Sequence, residues 1–303
     1  MARVDIYQQV TDLIVAELEK GVAPWVQPWK AVGGVAGGLP CNGYTSRPYR
    51  GVNVWVLVVV GHNRGYGDPR WFTFRQANLL GAKIRKGEKA TLVTFWRDLK
   101  VEERNDATGV RTEKSIPLLK SYPVFNALQC EGVPRLELAA ERPAEPELRY
   151  KDLPPLLERS GAVVRTGGSL AFYSVETDSI QVPPVSAFQG EEFYWSTMLH
   201  ELTHWTSHPT RLDRDVKHKF ASLGYAAEEL VAELGSAYLC ASLGVQGELR
   251  HPEYLGSWLK AFKDDKRALF RASSLAQRAA DFVLQFRTDV DHGHAGPPDE
   301  DAE

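Results

Sequence analysis

The chain has 303 residues, of which 43% are hydrophobic and 25% charged, with a net charge of −3. That balance is the one expected of a soluble globular protein with room for two domains. Its longest apolar run, Val52 to Val60, is broken by Asn53 and is far too short for a bilayer span, so no membrane partner is expected.

The cysteines Cys41, Cys130 and Cys240 are odd in number and form no C-x-x-C. This excludes a thiol redox motif and a cysteine zinc ribbon, and a reducing cytoplasm is the expected location. The net charge hides an asymmetry. Residues 1–126 carry 18 Lys and Arg against 11 Asp and Glu, and residues 20–100 carry 13 against 3. The remainder is acidic, 18 against 28. A basic half joined to an acidic half points to a nucleic-acid partner for the former.

Residues 4–20 place Val4, Ile6, Val10, Leu13, Ile14 and Leu18 at helical spacing, and Gly21 stops the helix. Acids inside that periodicity mark an amphipathic helix rather than a signal peptide. Residues 21–50 are rich in turns, with Trp25 and Trp29 beside Pro24 and Pro28. The glycines between 33 and 38 lack a following Gly-Lys-Ser/Thr and make no P-loop. Tyr44, Arg47, Tyr49 and Arg50 interleave rings and cations. That mixture suits single-stranded DNA, whose bases stack on rings while cations follow the phosphates, although the same rings would serve equally well as core.

Residues 52–60 predict a buried strand or a core helix. A loop with Arg64 follows, then strand-like alternation over Arg70-Trp71-Phe72-Thr73-Phe74-Arg75 and a helical turn from Gln76 to Leu80. Lys83, Arg85, Lys86 and Lys89 fall on a turn expected between two strands, where four cations can bracket a phosphate chain. Residues 101–115 predict an exposed hairpin, and Tyr122 to Asn126 a short strand that closes the first domain. The candidate DNA-binding set is therefore Trp25, Trp29, Tyr44, Arg47, Tyr49, Arg50, Arg64, Arg70, Trp71, Arg75, Lys83, Arg85, Lys86 and Lys89.

Several short motifs of this half form a pattern. They are the Trp-rich start; Asn42-Gly43 with Arg47-Pro48-Tyr49-Arg50-Gly51 and Asn53; the W-x-T-F-x-Q-A of Trp71, Thr73, Phe74, Gln76 and Ala77; Ile84 to Lys89; and the F-N-x-x-Q of Phe125, Asn126 and Gln129. Together they resemble the ArdC antirestriction family, whose N-terminal domain is shared with TraC-type conjugative primases. The resemblance runs over nearly the whole chain. It implies an α+β protein of two domains, the first binding single-stranded DNA and the second a zincin-like metallopeptidase. It also implies a role in protecting incoming conjugative plasmid DNA from host restriction.

On this reading residues 1–130 form the DNA-binding domain and residues 131–152, with three prolines and many charges, the linker. Residues 153–288 form the metallopeptidase domain, and residues 289–303 an acidic tail expected to be disordered. Strands are expected at 162–166 and 170–182, the latter ended by Pro183 and Pro184.

His200-Glu201-Leu202-Thr203-His204 is an H-E-x-x-H within a helical pattern. Residues four apart share a helix face, so both imidazoles can reach one divalent ion while Glu201 stands beside it as general base. A second helix is expected over 223–243, with Leu223, Ala227, Leu230, Val231, Leu234, Ala237 and Tyr238 as its apolar stripe. Glu229 and Glu233 lie on the other side. Glu229 is the expected third ligand, Glu233 is expected to hydrogen-bond a ligand imidazole, and Glu228 is expected to face solvent. His208, His218 and Tyr225 are candidates to stabilise an oxyanion. Zinc is the expected ion, with manganese or cobalt as substitutes.

This arrangement resembles zincin metallopeptidases with a glutamate third ligand, and that resemblance implies that Phe172 to Val182 is an edge strand pairing with an extended peptide of a host protein. The alternative is a single-stranded-DNA-binding protein whose metal site is structural or regulatory. Paired acidic clusters suited to a two-metal nuclease are not apparent.

Overall fold

The computed structural model describes residues 5–25, 39–104, 111–134, 136, 150–214, 223–245 and 254–287. Trp29, His218, most of the expected linker, the 105–110 turn and the acidic tail lie outside the described residues. Among those described, no helix is long and apolar enough to cross a membrane.

The first helix, α1 (Ile6–Leu18), is capped by the Asp5 carboxylate, which accepts from the Gln8 N–H. The short strand β1 (Cys41–Asn42) pairs in parallel with β2 (Arg70–Phe72). Between them lies α2 (Val52–Asn63), the helical outcome of the apolar run. It is apolar all round because it packs against both α1 and the sheet. The sheet order is β1-β2-β5-β4, closed by a long antiparallel hairpin of β4 (Thr91–Arg104) and β5 (Arg111–Asn126). The expected short strand at 122–126 is thus the end of a sixteen-residue one.

The strand-like alternation expected over 70–75 stops at Phe72. Thr73 and Gln76 form a capping box that starts α3 (Phe74–Leu79). The basic turn does lie between two strands. It leads from β3 (Lys83–Ile84) to β4, but these two do not pair; β3 pairs with β6 (Cys130–Glu131). The Arg85 N–H donates to the Gln129 carbonyl and continues that ladder away from β4.

Most of the polar motif residues turn out to be backbone partners. Asn42 accepts from the N–H groups of Tyr44 and Thr45. Asn53 clasps Thr94 through its N–H, its carbonyl and its hydroxyl. Asn126 and Gln129 cap the turn that follows β5. At Gly43 a Cβ would lie 2.1 Å from the Phe72 ring, so only glycine lets β1 approach β2 here.

The second half holds α4 (Leu153–Ser160) and a three-stranded sheet of order β7-β9-β8. Its strands are β7 (Val163–Thr166), β8 (Phe172–Ser174) and β9 (Ser179–Val182). The segment expected as one strand from 170 is therefore a hairpin, turned at Asp178 with φ 43°. The outer strand β8 lies against α5 (Glu191–Trp205), which in turn packs on α6 (Leu223–Leu243). The helices α7 (Leu255–Asp264) and α8 (Ala268–Leu284) enclose α6 from behind.

One hydrophobic core runs through both halves. Trp25 packs edge-on against Trp55 of α2 and Trp258 of α7, at 6.3 and 5.8 Å. The Thr11 hydroxyl of α1 donates to the Lys266 carbonyl at 2.9 Å. The Arg50 guanidinium pairs with Asp281, and the Gly51 N–H donates to Gln277 at 3.0 Å. These contacts dock the first half onto α7, α8 and the segment joining them.

Candidate functional site

The two site helices are placed by close packing. On α5, residues Ser196 to Thr203 and Trp205 are all buried. On α6 the chain is buried from Glu228 to Ala241. Gly235 sits where the helices meet, and a Cβ there would lie 2.5 Å from the Thr203 Cγ2. This glycine lets α6 approach α5 one residue before His204 and brings the Glu229 and Glu233 carboxylates within reach of the imidazoles.

His200, His204 and Glu229 each offer one ligand atom, and these atoms all lie within 4.8 Å of one another. Glu229 Oε2 is 3.5 Å from His200 Nε2 and 3.6 Å from His204 Nε2. Donors at about 2.0–2.1 Å from a tetrahedral ion are about 3.4 Å apart, so the set fits a zinc-sized ion. Glu201 is buried and lines the same cleft of about 140 Å³, together with both imidazoles, Ser207, Glu228 and Glu229. The opposite wall is Ala171, Phe172, Tyr173 and Val175, from β8 and its turn.

Each imidazole has a second carboxylate at its Nδ1. Glu233 Oε1 lies 3.8 Å from His200 Nδ1, facing the ring but beyond hydrogen-bond distance. Glu228 Oε1 lies 3.2 Å from His204 Nδ1. Glu228 is therefore not a solvent-facing residue. It is buried, while Ala227, expected in the apolar stripe, is exposed. The stripe argument assumes one wet face, and the described side chains of α6 leave almost none.

Burial works against a charge on His204, but hydrogen bonds to Glu228 and Glu229 outweigh it and lift its pKa to about 10. Burial likewise opposes ionisation of Glu229, yet the two imidazoles hold its carboxyl well below the usual range. Both shifts favour a protonated imidazole between carboxylates, and a metal ion bound there would compete with that proton.

Of the oxyanion candidates, His208 is engaged with the Thr210 hydroxyl at 2.8 Å and does not line the cleft. The side chains of His218 and Tyr225 lie outside the described residues. Tyr173, which no sequence signal marked, does line the cleft. Its hydroxyl donates to Asp178 at 2.8 Å and accepts from Arg211 at 3.1 Å. Burial and the hydrogen bond to Asp178 push its pKa up, so it is a phenol throughout the working range.

The fold superposes on the crystal structure of the antirestriction ArdC protein from plasmid R388 with a TM-score of 0.77 and 38% identity, over 93% of this chain and 98% of that one. Residues 4–125 match the N-terminal domain of anti-restriction factor ArdC, and residues 151–275 match a zincin-like metallopeptidase. The chain belongs to the ArdC antirestriction family. A Mn(II)-bound structure of R388 ArdC matches equally, with a TM-score of 0.76. An uncharacterized protein y4eC of Sinorhizobium fredii is 37% identical over 291 residues, 94% of each chain. Two DNA primases TraC of Escherichia coli are 39% and 36% identical to this chain over 92% of its length. The chain spans only 27% and 20% of their lengths.

The ArdC N-terminal half redistributes the expected DNA-binding set. Trp25, Tyr49 and Trp71 are core residues, 2%, 8% and 1% exposed, and offer no face to a base. The aromatic-cation pattern cannot separate a ring that stacks on bases from one that anchors a turn. Arg70 is half-buried and forked onto Asp68 at 2.7 Å, with a further bond to the Pro134 carbonyl, so it is structural. Arg50 is bound to Asp281 of α8. Tyr44, Arg47, Arg64, Arg75, Lys83, Arg85, Lys86 and Lys89 are exposed. Phe74, absent from the expected set, is 60% exposed. Because β1 and β2 run parallel in register, Tyr44 and Phe74 leave the same end of adjacent strands.

Proposed function

We propose that this ArdC-family chain is a single-stranded-DNA-binding antirestriction protein that carries a metal-dependent peptidase site, and that it protects incoming conjugative DNA from host restriction. The observation that carries the second half is the convergence of His200, His204 and Glu229 in a cleft that also holds Glu201 and is walled by β8. Those three side chains would hold the ion. Zinc is the best match to an N2O donor set, and manganese or cobalt would be accepted by the same atoms. A bound ion would polarise a peptide carbonyl and acidify a water. Glu201 would take the water's proton and return it to the leaving amine. The outer edge of β8 would pair with an extended peptide and orient it across the cleft.

In the first half, the exposed Tyr44 and Phe74 would stack bases while Arg47, Arg75 and the Lys83–Lys89 turn track phosphates. The basic charge of residues 20–100 supports this reading.

The test is a digest of a denatured protein pool by wild type and Glu201→Gln, with and without a chelator, read by mass spectrometry. Cleavage by wild type that chelation and Glu201→Gln both abolish supports the peptidase. Cleavage that survives Glu201→Gln refutes the assignment of the base.

A further inference from the structure

Arg214 is a buried cation to which the proposed chemistry assigns no task. Asp213, with φ 47°, turns the chain inward, and the Arg214 N–H donates to the Ser207 carbonyl at 3.0 Å. The guanidinium then makes four bonds. Two go to Glu228, from Nε to Oε2 at 3.1 Å and from an Nη to Oε1 at 2.8 Å. The other two go to the Thr206 hydroxyl at 2.7 Å and the Thr203 carbonyl at 2.8 Å. Thr203 and Thr206 bracket His204 along the chain, and Glu228 Oε1 faces His204 Nδ1.

We propose that Arg214 is a positioning residue for His204, acting through Glu228. It fixes the carboxylate that accepts from Nδ1–H, so that His204 presents Nε2 to the metal. The inference rests on the metal-site reading above. Three physical points support it. A planar guanidinium binds both oxygens of a carboxylate at once, and so sets its orientation as a lysine could not. Burying a lone carboxylate is costly, and Arg214 gives Glu228 a permanently charged, hydrogen-bonded partner. The bonds to Thr203 and Thr206 tie that partner to the segment that carries the imidazole. At the other imidazole the carboxylate stands farther off, with Glu233 Oε1 3.8 Å from His200 Nδ1. Outer partners of this kind change metal affinity by about 10–100-fold.

The experiment is a zinc titration of the full chain against a chromophoric chelator, with wild type, Arg214→Gln, Glu228→Gln and the double variant. A parallel 15N spectrum of the zinc-loaded proteins reads the His204 tautomer. Both single variants are expected to lose about 10–100-fold in zinc affinity. The double variant is expected to lose no more than Glu228→Gln alone, because Arg214 has then nothing left to position. The wild-type spectrum should show Nδ1 protonated and Nε2 metallated, and the variants a mixture. Glu228→Gln keeps the shape of the side chain, so it carries the test even if Arg214→Gln does not fold. Wild-type affinity in Glu228→Gln, or losses that multiply in the double variant, overturn the proposal while leaving the metal site standing. A wild-type chain that takes up no zinc overturns the metal reading and this inference together.

Discussion

Tyr238 of α6 stacks on Trp55 of α2, with ring centroids 4.8 Å apart and planes 24° from parallel. The Tyr238 hydroxyl then donates to the Gly51 carbonyl at 3.0 Å. One side chain thus joins the helix that carries Glu229 to the core helix of the ArdC N-terminal half.

That contact predicts a single unfolding transition for the whole chain. Tyr238→Ala empties a fully buried aromatic site and is expected to cost about 3–5 kcal/mol, while Tyr238→Phe removes only the hydrogen bond and should cost about 1 kcal/mol. Both halves should melt together in each variant, followed by near-ultraviolet dichroism and by calorimetry. Two resolved transitions in wild type would show that the shared core does not couple the halves. A fragment ending near residue 130 should be less stable than the same residues in the full chain, because Trp25 and Trp55 lose their partners Trp258 and Tyr238.

Gly235 gives a sharper test of the metal centre. A methyl there collides with Thr203, which is fully buried and hydrogen-bonded to the Leu199 carbonyl. Replacing a mid-helix glycine by alanine gains up to about 1 kcal/mol of helix propensity, but overpacking costs about 1–3 kcal/mol. Gly235→Ala is therefore expected to destabilise the protein slightly and to move α6 off α5. Zinc affinity should fall in proportion more than stability does, because Glu229 is carried on the displaced helix. Unchanged affinity would mean that the approach at Gly235 does not set the donor spacing.

How much was legible in the sequence follows from what each signal measures. The H-E-x-x-H spacing fixes a shared helix face whatever surrounds it, so His200, Glu201 and His204 gather in the cleft that the spacing predicts. Glu229 and Glu233 alone read as a solvated stripe, and only the upstream histidine pair, which leaves a metal short of a third ligand, singles them out. Glu228 and Arg214 are not singled out, because periodicity assigns one side of a helix to water and α6 is enclosed on nearly all sides. The aromatic residues failed for a related reason. Trp25 and Trp71 differ from Tyr44 only in what packs over them, and that is decided by α2, α7 and the sheet rather than by neighbours in sequence. The pairing of β3 with β6 joins residues far apart in the chain, and no local turn signal could reveal it.

The DNA-binding reading separates by exposure. Tyr44→Ala and Phe74→Ala should each weaken single-stranded DNA binding by about 1–3 kcal/mol, with little change in melting temperature. Trp71→Ala should instead unfold or strongly destabilise the chain, because its ring is buried. Charge reversal at Lys83 and Lys86 should lower the salt slope of binding by about one for each lost phosphate contact. Fluorescence anisotropy with a labelled oligonucleotide at several salt concentrations reads all of these. Full affinity in the Tyr44→Ala, Phe74→Ala double variant would move the DNA site elsewhere.

The clasped imidazole sets the pH dependence of metal uptake. In the metal-free protein His204 titrates at about 10, raised from 6.5, so its contribution to metal-free stability is complete below the lower value and is lost as pH rises through the upper one. Glu229 is depressed from 4.5, so its contribution is present above that value and is lost as pH falls. A metal ion needs the neutral ring and the ionised carboxylate. Near neutral pH the carboxylate is ready and the ring is not, so binding should expel about one proton per ion. Apparent affinity should then rise about tenfold per pH unit, and level off only as the titration of His204 is approached. Calorimetry in two buffers of different ionisation enthalpy measures the proton count directly. A free imidazole would already be neutral above its ordinary pKa, and would give a nearly flat affinity from roughly pH 7 to 9. A flat profile would mean that Glu228 and Glu229 do not hold a proton on His204 in solution, and the clasp would have to be abandoned.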